Sequence, residues 1–430
     1  MRVLVTGAYG FIGSYVAARL SAIGHDVICC VRNVDQGKRR FPNHTVIPCN
    51  FIKDIKPEDW LPRLENIDAV VNCVGILQSH DLAVIDAIHY KAPIALIEAC
   101  RQMNVKKVIH ISALGVNESV DTPYAQSKLK LEKHLFTLDY NWVILRPSLV
   151  YGSGSYGGTS LFRALSALPW IIPIVGSGKQ LFQPIHIQEL AKTVNIVIEN
   201  STISKMAIDV VGPNTLSVEE LFILLRRWLG LGEAKVVHVP IGLIRLGAYL
   251  GDWFQDIPIN STTYKMLSYD NISDVKPFIK TVGFTPSAIQ ENLTREPSSV
   301  QDRWHAHLYF LNPLLRISLG LIWVLSGIIP VFFAQHPEIY DIFNKIGVTG
   351  ILATLCFYGS TLLDVLLGLA TLANYKLKWI GCFQIFLIIF YTLVISFLLP
   401  EYWLDPFGAI MKNVPLVFAT LAMMAMSDPR

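Results

Sequence analysis

The sequence VLVTGAYGFIG at residues 3–13 decides the fold of the first two-thirds of this chain. Its opening apolar residues predict a short buried strand, after which Gly7, Gly10 and Gly13 lead into an apolar helix that runs to about Ile23. The three glycines allow a sharp turn, close approach of the backbone to a pyrophosphate, and close packing of the helix on the strand. Free N–H groups at the positive end of the helix dipole would hold the phosphates, so the pattern predicts a dinucleotide site rather than a merely structural turn.

Further apolar runs alternate with helical patterns and predict the other strands of a sheet. They lie at residues 26–31, 45–48, 69–74, 108–112 and 142–145. Such alternation predicts an α/β Rossmann domain, with a doubly wound parallel sheet, over residues 1–295. The glycine-rich and less regular part, mainly residues 151–295, is predicted to form a small α/β substrate lobe. The polar run 296–307 is predicted to be a linker.

The residue after the second predicted strand distinguishes the two common dinucleotides, because an acidic side chain there binds the ribose 2'-OH of NAD. Here Val31 occupies that place and Arg32 follows it. A guanidinium without an acid suits a 2'-phosphate, and the basic residues at 38–40 add positive charge. NADP(H) is therefore favoured as the cofactor. NAD(H) stays open, and a solvated basic loop is the alternative without a binding role.

The most informative polar pair is Tyr124 and Lys128, in the segment PYAQSKLKLEKHL. Pro123 favours the start of a helix, and a spacing of four residues places the phenol and the ammonium on one helical face. A lysine beside a tyrosine lowers the pKa of the phenol, and its ammonium can also hold a ribose hydroxyl. The pair therefore predicts a general acid/base, although the same spacing also occurs on helix surfaces that have no such role.

Together these motifs resemble the extended or atypical branch of the short-chain dehydrogenase/reductase superfamily. The resemblance rests on TGAYGFIG, VVNCVG, VIHISALG, YAQSK and LRPSLVYG, which lie along the first domain. It implies that Tyr124 donates or abstracts a proton, that Lys128 supports it, and that Ser112 binds a substrate oxygen. The same resemblance implies a set of dinucleotide-binding residues. These are Gly7, Tyr9, Gly10, Phe11, Ile12, Gly13, Arg32, Val74, Gly75, His89, Lys128 and Pro147.

Two positions depart from the pattern of the active family members. In strict register with sugar-nucleotide epimerases, Ala113 rather than Ser112 takes the place of the catalytic Ser or Thr. His89 replaces the asparagine that is usual in the helix after the fourth strand. Both departures are more similar to relatives of the nucleotide-binding accessory subunit of respiratory complex I, a resemblance that implies NADPH binding without turnover.

Three further segments of the predicted lobe support predictions about a substrate contact, a helix and a membrane contact, in that order. Gln183 and His186, in GSGKQLFQPIH, are candidates to face a substrate, with a packed histidine as the alternative. Ser217 and Glu220 form a capping box that predicts a helix ending near Gly230. The apolar amphipathic stretch 241–254 predicts either lobe core or a surface that docks on a membrane.

Composition excludes some classes of partner. The 430 residues are 52% hydrophobic and 16% charged, and the net charge of +3 is too small to indicate nucleic acid binding. The seven cysteines form no C-x-x-C pair, so we predict no metal site and a reducing compartment. No signal peptide precedes the first strand, so the first domain is expected to be cytoplasmic.

Four apolar runs predict an all-α four-helix transmembrane domain at residues 308–430. They cover residues 308–333, 350–374, 379–400 and 407–426. The Lys and Arg residues beside these runs favour a multi-pass protein whose N-terminal domain and C-terminus are both cytoplasmic. Arg316 and Asp364 lie at similar depth in the first two runs, so either an ion pair or a polar functional site is predicted for them.

The C-terminal region resembles the DoxX-like membrane family. The resemblance rests on RISLGLIWVLSG at residues 316–327 and KNVPL at residues 412–416. Fusion of such a domain to an atypical short-chain reductase implies a bacterial protein of the inner (cytoplasmic) membrane. The family's association with quinone-linked oxidation adds a quinone to the candidate ligands, beside a hydrophobic small molecule.

These expectations lead to one main functional hypothesis and two alternatives. The main hypothesis is a membrane-anchored, NAD(P)-dependent oxidoreductase that acts on a hydroxyl or carbonyl of a hydrophobic or membrane-associated substrate. The first alternative is a non-catalytic, NADPH-binding scaffold or sensor for a membrane complex, which adds a protein partner to the dinucleotide and the lipid bilayer. The second is an epimerase or dehydratase of a nucleotide sugar, which the cleft suits but Ala113 does not.

Overall fold

The computed structural model describes residues 1–77, 79, 81–154, 158–245, 265, 268–332, 336–345, 347–404, 408 and 410–427. The chain divides into two compact units, Met1–His307 and Leu308–Arg430. The predicted amphipathic stretch 241–254 falls mostly outside the described residues.

The first unit is built on a seven-stranded sheet in which all neighbouring strands are parallel. The described strands are β1 (Arg2–Thr6), β2 (Asp26–Val31), β3 (Thr45–Pro48), β4 (Ala69–Asn72), β5 (Lys107–Ile111), β6 (Trp142–Pro147), β7 (Val150–Tyr151), β8 (Ile171–Val175), β9 (Leu181–Phe182), β10 (Ile185–His186), β11 (Met206–Val210), β12 (Leu216–Ser217) and β13 (Lys235–Val239). The large sheet has the order β11-β6-β5-β4-β1-β2-β3. Its strand order reverses between β1 and β4, which is where doubly wound sheets bind ligands. The predicted fold class is therefore confirmed for this unit.

Helices cover both faces of this sheet. The described helices of the first unit are α1 (Phe11–Ala22), α2 (Val34–Arg40), α3 (Leu82–Asp86), α4 (Ala92–Gln102), α5 (Pro123–Phe136), α6 (Gly158–Ser166), α7 (Ile187–Glu199), α8 (Val218–Trp228), α9 (Val275–Val282) and α10 (Ile289–Arg295). Side chains alternate along β1, so that Val3 and Val5 join the core with α1 and α7, whereas Leu4 joins the core with α4 and α5. Burial on both faces explains why the strands are continuous apolar runs.

The helix predicted between the fourth and fifth strands contains an irregular turn. A π-helical turn, Ala87–Lys91, separates α3 from α4. Pro93 has no backbone N–H, so it cannot donate to the carbonyl of His89 as a regular α-helix requires. This missing bond gives the widened turn a local cause, and such turns often occur at functional sites.

The substrate lobe is a smaller α/β layer with its own core. Parallel strands β8 and β13 pair side by side, and β9 pairs antiparallel with β12. Phe162, Phe182 and Phe222 pack together in its core, with ring centroids 5.1 to 5.8 Å apart. The capping box predicted at Ser217 and Glu220 is confirmed, since Ser217 Oγ accepts from the Glu220 N–H at 3.2 Å and the Glu220 carboxylate accepts from the Ser217 N–H.

The segment 296–307 is more ordered than its polar composition predicts. It groups with the first unit, and the long helix α11 (Val300–Phe332) begins within it. Asp302 and Ala306 are 8% and 1% exposed. The structure therefore shows a packed helical start where a linker is predicted, because Asp302 has a buried partner in the lobe.

The second unit is helical, and the described residues contain three helices long and apolar enough to cross a membrane, the first of which begins in the first unit. Besides α11, the described helices there are α12 (His336–Lys345), α13 (Gly350–Leu372), α14 (Leu377–Leu398) and α15 (Asn413–Met426). The fourth predicted span is corrected, because α15 has 14 residues and reaches only about 21 Å at 1.5 Å per residue. Residues 405–407 and 409, at the start of that predicted span, lie outside the described residues.

Close helix contacts hold the second unit together. A Cβ at Gly327 would lie 2.3 Å from the Thr361 carbonyl oxygen, and one at Gly368 would lie 2.6 Å from the Val324 nitrogen. Small residues therefore let the backbones of α11 and α13 approach each other, as in many membrane bundles. Between α13 and α14, Gln384 Nε2 donates to Thr371 Oγ1 at 2.9 Å, and both side chains are fully buried.

The predicted pairing of Arg316 with Asp364 is wrong. Among the described residues no ion pair joins these two side chains, and the buried Asp364 Oδ1 has no hydrogen-bond partner. Equal depth along two helices is insufficient for a pair, because each side chain must also point towards the other helix. A polar functional site at Asp364 stays a prediction.

Candidate functional site

The glycine-rich loop after β1 has the shape that close approach to a ligand requires. Gly7 has φ +68°, a conformation that L side chains rarely adopt. A Cβ at Gly13 would lie 2.2 Å from the Gly7 carbonyl oxygen, and the Gly10 N–H donates to that same oxygen at 2.9 Å. Gly7, Gly10 and Gly13 therefore form one compact turn, as the sequence predicts.

The residues of this loop fit the phosphates of a dinucleotide. Helix α1 begins at Phe11, with Gly10 as N-cap, no side-chain cap and no acidic residue in its first turn. Its first N–H groups point out of the helix end without a competing carboxylate, and the helix dipole favours an anion there. Tyr9, Phe11 and Ile12 are half-buried around this end. Their predicted contact with the cofactor is compatible with these positions.

Basic side chains lie at the end of β2 and in α2. Arg32 follows β2 directly and is exposed. The Arg40 guanidinium lies over the ring of Tyr9, 4.7 Å from its centroid. The structure therefore brings the Arg40 guanidinium to the glycine loop and leaves Arg32 exposed at the end of β2, where the ribose of a bound dinucleotide is expected.

Tyr124 and Lys128 lie side by side on α5, as predicted. Thr122 caps this helix by accepting from the Ala125 N–H, and Pro123 occupies its first position. The Lys128 ammonium is 5.5 Å from the Tyr124 ring centroid and donates to the Ile111 carbonyl oxygen at 2.9 Å. Lys128 is 3% exposed, so its remaining N–H donors are held in a largely dry site.

The predicted lowering of the Tyr124 pKa is wrong for the protein without ligands. Burial raises the pKa of Tyr124 to about 12. Burial also lowers the pKa of Lys128 to about 8, although the nearby carboxylate of Glu132 acts in the opposite direction. The Lys128 ammonium bonds to the Ile111 carbonyl rather than to the phenol oxygen, so it does not stabilise the phenolate enough to offset desolvation.

His89 is fixed by both ring nitrogens. Its Nε2 accepts from the Ile76 N–H at 3.1 Å, so Nδ1 carries the proton and donates to Ser127 Oγ at 2.9 Å. The His89 ring meets the Tyr124 ring edge to face at 5.4 Å. Burial and the charge of Lys128 lower the pKa of His89 to about 3, so it is neutral. The structure therefore makes His89 a support for the Tyr124 helix, with no free nitrogen for the predicted cofactor contact.

The structure does not support the catalytic role predicted for Ser112. Its hydroxyl donates to Glu132 Oε1 at 2.5 Å, and Glu132 is fully buried. The same carboxylate accepts from Arg146, which anchors it to β6. The Ser112 hydroxyl proton is thus already used in a hydrogen bond to Glu132. The half-buried neighbour Ala113 has no hydroxyl.

Glu132 is the residue of this site that the sequence analysis missed. It lies four residues after Lys128, so Tyr124, Lys128 and Glu132 repeat at one-turn spacing along α5. That spacing indicates that Glu132 lies on the same helical face as Tyr124 and Lys128. Its meaning depended on Ser112 and Arg146, which approach from β5 and β6 and cannot be placed from helix spacing alone.

Three further predicted cofactor residues lie at the ends of the central strands. A Cβ at Gly7 would contact Val74 Cγ2 at 3.0 Å, so Val74 borders the glycine loop. Gly75 is exposed, and a Cβ there would lie 3.8 Å from the Lys128 Nζ. Pro147 is buried at the end of β6, and its carbonyl accepts from the Leu114 N–H. Val74 and Gly75 therefore connect the glycine loop to the Lys128 ammonium.

His186 and Gln183 do not face the Tyr124 site. His186 lines a separate cavity of about 220 Å³. That cavity is lined by Tyr151, Gly152, Ser153, Arg163, His186, Trp228, Asn292, Leu293, Glu296, Pro297, Ser299 and Asp302. The His186 ring packs on Tyr151, and Gln183 Oε1 accepts from the Ser273 N–H at 2.9 Å. The packed alternative for His186 therefore describes the structure better.

Lys128 predicts a pH dependence of dinucleotide binding. The ammonium is the form that donates to ribose hydroxyls, so affinity should fall as the pH rises through about 8, the pKa of Lys128. Tyr124, whose pKa is about 12, stays protonated over that range. Fluorescence titrations with NADPH at pH 6.5 to 9.5 measure the effect. Lys128→Met should bind more weakly and without this pH dependence, and an unchanged slope in that variant would contradict the assignment.

The low pKa of Lys128 also predicts how the stability of the ligand-free protein depends on pH, and this dependence has the opposite sign to that of dinucleotide affinity. Because the folded-state pKa of Lys128 is lower than its unfolded value, the unfolded chain binds more protons between these two values. The ligand-free protein should therefore gain stability as the pH rises through about 8 and upward. Opposite slopes for affinity and stability distinguish this lysine from a general loss of structure at high pH.

A parallel sheet of this order, a glycine turn, and a half-buried Tyr124 beside the buried Lys128 define a Rossmann domain of the short-chain dehydrogenase/reductase type. Comparison with known families agrees. Residues 3–210 match the NAD dependent epimerase/dehydratase family, and residues 320–421 match the DoxX-like family. The chain therefore carries an epimerase/dehydratase-type domain at its N-terminus and a DoxX-like domain at its C-terminus. The match supports a nicotinamide dinucleotide as the cofactor.

Two relatives are similar to this chain at low identity. The chain is 27% identical over 266 residues to the photosystem II assembly factor Ycf39 of Synechocystis sp., covering 59% of this chain and 76% of that protein. It is 23% identical over 294 residues to the mitochondrial NADH dehydrogenase (ubiquinone) 1 alpha subcomplex subunit 9 of Arabidopsis thaliana, covering 63% and 68%.

A solved structure with the same fold is the UDP-glucuronic acid 4-epimerase of Bacillus cereus, in complex with UDP-glucuronic acid and NAD. It aligns with a TM-score of 0.54 at 18% identity, and covers 72% of this chain and 100% of that chain. At this identity the likeness describes the fold alone.

Proposed function

We propose that this protein is a membrane-anchored, NADP-dependent oxidoreductase that acts on a hydroxyl or carbonyl group of a hydrophobic substrate. The observation that carries the proposal is the pair of half-buried Tyr124 and buried Lys128, which lies next to Gly75 near the glycine loop. A phenol whose pKa is about 12 is a proton donor at neutral pH, which is what reduction of a carbonyl needs.

The bound dinucleotide would supply the hydride or accept it, and the chain's own residues would arrange the rest. Gly7, Gly10 and Gly13 would hold the pyrophosphate against the end of α1. The Lys128 ammonium would bind ribose hydroxyls with the donors that Ile111 leaves free. The Tyr124 hydroxyl would give its proton to the carbonyl oxygen as that oxygen becomes an alcohol.

Arg32 supports NADP(H) as the preferred cofactor. It is exposed directly after β2, where a 2'-phosphate would lie, and neither the last residue of that strand nor the next two residues are acidic. Arg32→Ala should weaken NADPH binding about tenfold, the equivalent of roughly 1.4 kcal/mol for one lost charge-assisted contact. NADH binding should change little. Equal loss for both dinucleotides, in paired fluorescence titrations, would contradict the proposed role.

The substrate class is proposed from the location of the enzyme. Three helices among the described residues suit a bilayer, so the active unit would be tethered next to lipid-soluble compounds. We propose the inner membrane of a bacterium, with the first unit in the cytoplasm. A cytoplasmic C-terminus requires an even number of crossings, so with three long helices it depends on how α15 and the residues before it lie in the bilayer.

Turnover in the presence of lipophilic carbonyl compounds tests the enzymatic proposal. The full chain in mild detergent or nanodiscs should oxidise NADPH when a suitable aldehyde or ketone is added. Tyr124→Phe should lower the rate by at least about a hundredfold, the effect of removing a positioned proton donor. Its NADPH affinity should stay near that of the parent protein. Unchanged turnover in this variant would remove Tyr124 from the mechanism.

The Ser112–Glu132 bond favours a second candidate, a non-catalytic NADPH-binding scaffold or sensor. With its hydroxyl donated to Glu132, Ser112 has no proton for a substrate oxygen, and Ala113 has no hydroxyl. The names of two relatives, an assembly factor and a complex subunit, agree with this candidate. NADPH that co-purifies at full occupancy and survives exposure to carbonyl compounds would support the scaffold. Rapid exchange and oxidation would support the enzyme.

A further inference from the structure

Trp170 combines extreme exposure with a strained backbone. The side chain is 83% exposed, and its φ of +63° is unusual for a bulky residue. Such strain persists only where surrounding structure enforces it, and it often marks a functional position. A large apolar side chain that is fixed in a solvent-exposed position indicates an interaction surface.

The loop that carries Trp170 is fixed from behind. Arg226, 8% exposed, donates to the carbonyl oxygens of Ser166 at 2.8 Å and Leu168 at 2.9 Å. The Trp170 carbonyl accepts from the Lys235 N–H at 2.9 Å, which ties the residue to the β8/β13 pair. Trp170 therefore projects from a braced edge of the lobe.

The same edge of the lobe contacts the start of helix α11. Ala167, three residues before Trp170, forms a buried cluster with Leu229 and Ala306. Ala306 lies in α11, which is a candidate membrane span. Three residues reach at most about 10 Å, so Trp170 lies near the level at which α11 leaves the first unit.

Exposed aromatic and basic side chains share this level. Trp304, on α11, is 65% exposed and lies four residues before Leu308, or about 6 Å along the helix axis. Arg227 and Lys235 are exposed on the lobe elements that pack here, with Glu233 as the neighbouring acid. Tryptophan beside Lys and Arg is the composition of the zone where proteins meet lipid headgroups.

We propose that Trp170 and Trp304 are interfacial anchors, which hold this edge of the first unit against the headgroup region of the bilayer that α11 enters. The apolar rings enter the boundary between headgroups and acyl chains. Arg227 and Lys235 lie nearer the aqueous side and are attracted to anionic lipids. The docked edge keeps the first unit close to the membrane surface.

Depth measurements on the full chain test this proposal. Cysteine replaces Trp170, or in a second variant Ile171, in a background that carries Cys356→Ala and Cys382→Ala, because those two native cysteines are exposed. A nitroxide label is attached in nanodiscs of mixed zwitterionic and anionic lipid. Its collisions with oxygen, which concentrates in lipid, are compared with those of a water-soluble nickel complex.

Labels at other exposed apolar positions serve as controls for residues 170 and 171. Leu82→Cys and Phe136→Cys place the label on apolar side chains of the first unit that are 62% and 52% exposed but far along the chain from this edge. Leu325→Cys reports whether α11 itself is in lipid. The ratio of oxygen to nickel collisions should be severalfold higher at residues 170 and 171 than at 82 and 136.

Each other outcome overturns the proposal in a distinct way. A water-like ratio at 170 and 171, with a lipid-like ratio at 325, would show that α11 is inserted and the lobe edge is undocked. Protection from both reagents would indicate a protein partner instead of lipid. A water-like ratio at 325 would mean that the membrane anchor itself is misassigned.

Discussion

Gly13→Ala should abolish dinucleotide binding and destabilise the first unit. The added Cβ would lie 2.2 Å from the Gly7 carbonyl oxygen and 2.7 Å from the Gly7 carbonyl carbon. Both atoms belong to the backbone, so the loop must open rather than a side chain rotate. Overpacking of this kind costs about 3 kcal/mol, and a shifted loop no longer presents its N–H groups to the phosphates.

The expected loss of affinity is at least about a hundredfold, or 2.7 kcal/mol. It is measured by NADPH titration of the full chain in detergent, with urea unfolding as the stability measurement. Gly232→Ala is the matched control, since a Cβ there has no atom within 4 Å and no positive φ is involved. Normal binding by Gly13→Ala would mean that the loop does not hold the dinucleotide.

Asp302→Asn should cause the other large effect, a loss of about 3 kcal/mol in the free energy of unfolding. Asp302 Oδ1 accepts from Arg163 Nη1 at 3.0 Å, and the two side chains are 10% and 3% exposed. Burial lowers the pKa of Arg163, but a guanidinium stays charged at neutral pH. The substitution therefore leaves a buried cation without its counter-charge.

Charge balance provides the control for this prediction. Arg163→Met in addition to Asp302→Asn should recover part of the lost stability, because no unpaired charge is then buried. Glu98→Gln, which removes one partner of the solvent-exposed pair with Arg101, should cost less than about 1 kcal/mol. Urea titrations of these three variants and the parent protein provide the comparison. Equal costs for the buried and exposed pairs would show that the Asp302 environment is more hydrated than its burial indicates.

The features predicted correctly from the sequence share a local physical cause. The strands of the large sheet are buried on both faces, so each one is a continuous apolar run that can be read without knowing its neighbours. Gly7, Gly10 and Gly13 report a turn whose geometry excludes larger residues. The spacing of Tyr124 and Lys128 follows directly from the helical period.

The features that were missed depend on contacts between distant segments. Lys128 was expected to lower the Tyr124 pKa, but its ammonium bonds to the carbonyl of Ile111, at the end of a different element. Ser112 was expected at the reaction centre, but Glu132 holds its hydroxyl. In both cases the direction of a hydrogen bond decides the chemistry, and a direction in space cannot be read from spacing along the chain.

Hydrophobicity also has a limit as a guide to spans and linkers. The segment 296–307 is polar, yet Asp302 is buried because Arg163 neutralises it. The run 407–426 is apolar, yet its described helix begins only at Asn413. The composition of a segment indicates its average polarity. Whether a given residue is buried, and where a helix begins, depends on individual ion pairs and hydrogen bonds.

The π-helical turn at Ala87–Lys91 makes the geometry of the site depend on the number of residues in this part of the helix. A π turn holds one residue more than the α-helical turn that it replaces, so it behaves as an insertion that the helix has absorbed. Removal of one residue there would rotate the preceding part of the helix by about 100° relative to α4. His89 would then turn away from Tyr124, while substitutions that preserve length leave its direction intact. In related chains, an insertion or deletion at this place would alter the site more than most single replacements.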